Sequence, residues 1–76
     1  MATVNISLTT IDDVKKFVNA VSKYDFEVDL TSGRYVIDAK SIMGIFSLDL
    51  SKPIKLTAGT DEKSPFFEDI KPFIVE

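Results

Sequence analysis

Histidine and cysteine are both absent from this sequence of 76 residues, and glycine and proline number only three each. Each gap removes a class of chemistry. Without cysteine there is neither a disulfide framework nor a thiolate metal site. A small domain that folds without such staples is most at home in a reducing compartment, so the expected location is the cytoplasm. Without histidine there is no imidazole to serve as base, nucleophile or ligand near neutral pH. A nucleophile–base pair would have to join a serine to a lysine or a carboxylate, and no spacing suggests one. The acidic residues show no metal-ligand spacing either, so no metal and no cofactor are expected. Gly33, Gly44 and Gly59 lie too far apart for a phosphate-cradling loop. No apolar run approaches the ~18 residues that span a membrane. The start, Met1 to Asn5, lacks the basic segment and apolar run of a signal peptide. Nine basic residues face twelve acidic ones, for a net charge of −3. The lysines are scattered, whereas direct nucleic-acid binding rests on a basic stripe, so no nucleic-acid partner is expected.

What is present is enough apolar material for one soluble globular domain, residues 1–76. Apolar residues make up 45% and charged residues 28%, with six phenylalanines among the aromatics. A chain of this length buries about 60–65% of the surface its unfolded form exposes. Its stability should therefore be modest, on the order of 4–11 kcal/mol.

Periodicity divides the chain into alternating elements. Val4, Ile6 and Leu8 recur every second residue from Thr3 to Leu8, the pattern of a strand with one buried face. Thr10 suits a helix N-cap, and Asp12 and Asp13 suit the positive end of a helix dipole. Ile11, Val14, Phe17, Val18 and Val21 then form one apolar stripe of a helix ending near Lys23. Phe26, Val28 and Leu30 alternate with Glu27 and Asp29 as a second strand. Ser32-Gly33 supplies a turn, and Tyr35 and Ile37 lead a third strand antiparallel to the second. The stretch from Ala39 to Leu50 reads as a short helix capped by Ser41. A fourth strand, Pro53 to Ala58, turns Ile54 and Leu56 inward. A last helix starts at Ser64-Pro65, with serine as cap and proline at the first helical position. It carries Phe66, Phe67, Ile70, Phe73 and Ile74 on one face, and Pro72 should end or kink it near Lys71. The order β-α-β-β-α-β-α predicts an α+β open-faced sandwich, a four-stranded antiparallel sheet with all helices on one face.

The segment Asp38-Ala-Lys-Ser-Ile-Met-Gly-Ile-Phe-Ser-Leu48 resembles the regulatory-serine signature of HPr, the phosphocarrier family of the bacterial sugar phosphotransferase system. Its Lys-Ser-Ile-Met-Gly core stands unchanged at Lys40 to Gly44, after a β-α-β-β run as in that family. Phe17-Val18 and Ser22-Lys23-Tyr24 resemble the end of the family's first helix, so the likeness extends over nearly the whole chain. The family carries phosphate on a histidine in a Gly-x-His-x-Arg-Pro sequence at the start of its first helix. The matching stretch here, Leu8-Thr-Thr-Ile-Asp-Asp-Val14, has no histidine, arginine or glycine and is about two residues shorter. Asp12 and Asp13 would repel an incoming phosphate there. No lysine or carboxylate cluster accompanies them to support an aspartyl phosphate.

The resemblance makes Ser41 a candidate site of regulatory phosphorylation, compatible with its plainer role as a helix cap. It also implies that Ile42, Met43 and Phe46 form a partner-binding surface, since exposed apolar clusters commonly mark interaction sites. The plainer reading places all the apolar residues of this helix in the core. Ile45 and Leu48 belong to the core on either reading. Lys40 could steer an acidic partner or pair with a phosphate on Ser41, and otherwise reads as a solvated lysine. The expected function is an HPr-like regulatory or protein-binding module without histidine phosphotransfer, and not an enzyme. The partners that the resemblance implies are an HPr kinase/phosphorylase, a catabolite-control repressor and enzyme I. The alternative is a fold-only structural protein that self-associates through the apolar patch.

Overall fold

The structure, a computed structural model, describes residues 1–75. Alternating apolar residues build the three inner strands as the pattern requires. β1 (Ala2–Ile6) and β4 (Ile54–Ala58) pair antiparallel, with Val4 opposite Leu56 and Ile6 opposite Ile54. β4 also pairs with β2 (Val28–Ser32), placing Leu30 opposite Leu56. β2 turns back through Gly33 and Arg34 into β3 (Tyr35–Asp38), with Ser32 opposite Tyr35. Gly33 has φ of 59°, and no other described residue has a positive φ. Positive φ at the first loop position alone is the mark of a type II′ hairpin turn, where glycine is favoured.

The sheet has five strands, ordered β3-β2-β4-β1-β5, and not the four that periodicity predicts. β5 (Ile74–Val75) pairs with β1 through Ile6–Ile74 and Asn5–Val75, and Ser7 N–H donates to the Phe73 carbonyl at 2.8 Å. Pro72 is the reason the helical reading of Ile74 fails. α3 spans only Phe66–Asp69, and a 3₁₀ turn over Lys71–Phe73 replaces its continuation. Proline has no N–H to extend an α-helix. The chain then extends at Ile74 (φ −72°, ψ 132°) and meets the free edge of β1. At the other end of α3, Pro65 adopts helical dihedrals and Ser64 Oγ accepts from Phe66 N–H at 3.3 Å, the serine cap and leading proline that the sequence predicts.

All helices lie on one face of the sheet. α1 (Ile11–Val21) buries Val14, Phe17, Ala20 and Val21, while α3 contributes Phe66, all against Ile6, Leu30, Ile54 and Leu56. Ile11 departs from the predicted stripe. It is the first helical residue, at the end of the cylinder, and stays 65% exposed. Phe17 and Phe73 meet edge to face, and Tyr24, Phe26, Phe66 and Phe67 form a second aromatic cluster with centroid spacings of 5.1–5.4 Å. No polar side chain is buried among the described residues. Core burial therefore carries no desolvation penalty from side-chain polar groups.

Candidate functional site

Two helix starts bear on function. At the end of β3, Ala39 N–H donates to the Val28 carbonyl (2.9 Å), Lys40 N–H to Asp38 Oδ1 (2.9 Å) and Ser41 N–H to the Asp38 carbonyl (3.0 Å). These bonds turn the chain out of the sheet and set Ser41 at the head of α2 (Ile42–Phe46) in extended conformation. Ser41 Oγ accepts from Gly44 N–H at 3.2 Å, the cap the sequence predicts. Gly44 leaves room for that hydroxyl, because a Cβ here would sit 3.1 Å from Ser41 Oγ and 3.3 Å from Ile37 Cδ1. Ser41 itself is exposed.

α2 is shorter than the predicted Ala39–Leu50 segment, and it divides its apolar residues. Ile45 and Leu48 enter the core. Ile42 and Leu50 are half-buried against it. Met43 is 78% and Phe46 41% exposed, so these two carry the apolar surface, with Ile42 at its base. Lys40 is not freely solvated. Its Nζ donates to the Tyr24 carbonyl at 2.7 Å, just past the end of α1, where a cation complements the negative end of the dipole.

The start of α1 is held by two threonines and one aspartate. Thr10 Oγ1 accepts from Asp13 N–H at 3.0 Å. Asp13 Oδ2 accepts in return from Thr9 N–H (3.2 Å) and Thr9 Oγ1 (2.9 Å). The bond from Thr9 N–H, with that from its hydroxyl, holds the Asp13 carboxyl below the ordinary carboxylate range. Asp12 forms an exposed ion pair with Lys16 at 3.5 Å. An open cleft of about 550 Å³ runs beside this end, lined by Ser7, Thr9, Asp13, Lys16, Asp69 and Phe73. Its polar character is mixed, two carboxylates and one lysine. The role of Thr9 is legible only in hindsight, from a Thr-Thr-x-x-Asp spacing close to a capping box. Among the described residues no cluster of acidic side chains could hold a metal ion, and no helix is long and apolar enough to cross a membrane.

A family model described as "PTS HPr component phosphorylation site" matches residues 13–74. The chain belongs to the HPr family. The match opens at Asp13, in the first turn of α1. Among solved structures, HPr-C-His from Thermoanaerobacter tengcongensis superposes with a TM-score of 0.78 at 26% identity, over 95% of this chain and 89% of that one. The phosphocarrier protein HPr from Bacillus anthracis str. Ames superposes with a TM-score of 0.60 at 24% identity, over 93% and 87%. The latter likeness speaks for the HPr fold alone. No curated protein matches the sequence.

Proposed function

We propose that this HPr-family chain is a single cytoplasmic domain that binds other proteins in regulation and does not carry phosphate on a histidine. The observation that carries the reading is the exposed pair Met43 and Phe46 on the helix that Ser41 caps. An apolar surface of this kind suits a protein partner, and a methionine adapts to varied ones. Ser41 is the phosphoacceptor. Its hydroxyl is exposed beside the patch, so a phosphate there changes the charge of the surface a partner meets. Lys40 ties the head of α2 to the end of α1 beneath this surface, since its ammonium is engaged at the Tyr24 carbonyl. The family resemblance points to an HPr kinase/phosphorylase, a catabolite-control repressor or enzyme I as partners.

Phosphate carriage at α1 is opposed on two counts. The sequence holds no histidine. The helix start is already occupied by the Thr9–Asp13–Thr10 network, with an ionised carboxylate where an incoming phosphate would need donors. The test is incubation with a bifunctional HPr kinase and ATP, read by intact mass, with Ser41→Ala as control. One added phosphate that disappears in the control is expected. In parallel, enzyme I with phosphoenolpyruvate should leave the mass unchanged, and stoichiometric transfer would overturn the reading.

A further inference from the structure

β3 is the longer of the two sheet edges, and its hydrogen-bonding phase shows what it leaves unpaired. The Ala39 N–H to Val28 carbonyl bond makes that pair a hydrogen-bonded one. Narrow and wide pairs alternate along an antiparallel ladder. Leu30–Ile37 and Ser32–Tyr35 are therefore hydrogen-bonded, whereas Thr31–Val36 and Asp29–Asp38 are not. The N–H and C=O of Val36 and the N–H of Asp38 consequently point away from the sheet, and no side chain among the described residues takes them up. The strand is apolar as well as open, with Tyr35 70% and Val36 63% exposed. An open strand with these properties is a template for another strand.

The charges along it are self-complementary. Asp29 and Asp38 lie directly opposite each other on β2 and β3 with no cation paired to either among the described residues, an arrangement that destabilises a sheet. Arg34, four residues before Asp38, is in no ion pair among the described residues. Asp49, which shares a shallow hollow with it, is taken up instead by Ser51 N–H and Oγ. If two β3 strands run antiparallel about a two-fold axis at Val36, Val36 faces Val36 of the second copy across a hydrogen-bonded pair. Arg34 of each chain then stands opposite Asp38 of the other. Tyr35 and Ile37 meet in the same way on the helix side. Neighbouring registers keep the backbone phase but lose the charge match, since Arg34 would face Val36 or Val36 would face Asp38.

We propose that β3 pairs with β3 of a second copy of this chain, centred on Val36, joining two five-stranded sheets into one. The interface differs from the α2 patch and is independent of the function proposed above. Sedimentation velocity over a range of concentrations tests it, with circular dichroism confirming that each variant folds. A concentration-dependent dimer is expected. Val36→Lys puts two like charges face to face on the two-fold axis at an exposed position, and should weaken association at least about tenfold. Arg34→Glu alone and Asp38→Arg alone should each be monomeric, because each sets like charges opposite one another. A mixture of the two variants should dimerise. The introduced glutamate of one chain then faces the introduced arginine of the other, and the native Asp38 of the first faces the native Arg34 of the second. A monomer at several hundred micromolar wild-type protein overturns the proposal. So does a dimer that survives Val36→Lys, which would move the contact to another surface.

Discussion

Asp13 shows how one side chain can set both the start of a helix and its response to acid. Its carboxylate is favoured in the folded chain by bonds from Thr9. A lowered native pKa adds stability that is present above the unfolded value, about 3.9, and is lost as pH falls through the native one. The thermal midpoint should therefore drop below pH ~4. Asp13→Asn should lower the midpoint at pH 7 and flatten the fall below pH 4, as followed by thermal melts across that range. An unchanged slope in the variant would remove Asp13 from the acid response. Thr10 as cap and the acidic first turn were legible from residue type and spacing. The return bond to Thr9 was not, because it depends on how the chain enters the helix. The Lys40 bond to Tyr24 is likewise hidden, since a lysine in sequence carries no sign of a carbonyl sixteen residues away, past the end of α1.

At the scale of elements, α2 is five residues long, too short to persist by helix propensity. Its place is fixed by the burial of Ile45 and by the cap at Ser41. Ile45→Ala should cost about 2–5 kcal/mol in urea unfolding. Ser41→Ala should cost about 0.5–2 kcal/mol. Met43→Ala should stay within about 0.5 kcal/mol, as an exposed substitution does. A large loss at Met43 would mean that it packs rather than presents. The division between Ile45, Leu48 and the exposed pair was partly visible in sequence, since six apolar residues on so short a helix cannot share one buried face. The apolar pattern overstates the length of the helix, because Leu48 and Leu50 continue it after the backbone has left helical geometry. β5 escaped for the opposite reason. Ile74 fits a helical stripe by spacing, and only the missing N–H of Pro72 and the vacant edge of β1 turn it into a strand.

Over the whole molecule, the alternation of strands and helices gave the α+β class and the faces, while strand neighbours came only from the structure. Period two says which side of a strand is buried and is silent about what lies beside it. The order places β4 between β2 and β1, paired on both sides. Protection against hydrogen exchange should therefore peak at Lys55 to Thr57 and be lowest among the strands at β5. The amides of Val36 and Asp38 should exchange fast in dilute protein and slow as concentration rises, if β3 is the seam between two copies. Residue-resolved exchange by NMR at two concentrations reads both patterns. Slow exchange at β5 matching that at β4 would contradict the layout.

That same order has a consequence for biosynthesis. β1 leaves the ribosome first, yet its partners β4 and β5 are among the last strands made. The roughly 50 residues between Ile6 and Ile54 take about 2–10 s to translate at bacterial to eukaryotic rates of about 5–20 residues/s. Throughout that interval Val4 and Ile6 have no sheet to join, and only the β2–β3 hairpin can form its ladder from nearby sequence. The nascent chain thus carries its first strand unpaired until near the end, and completes its sheet as a last, long-range closure.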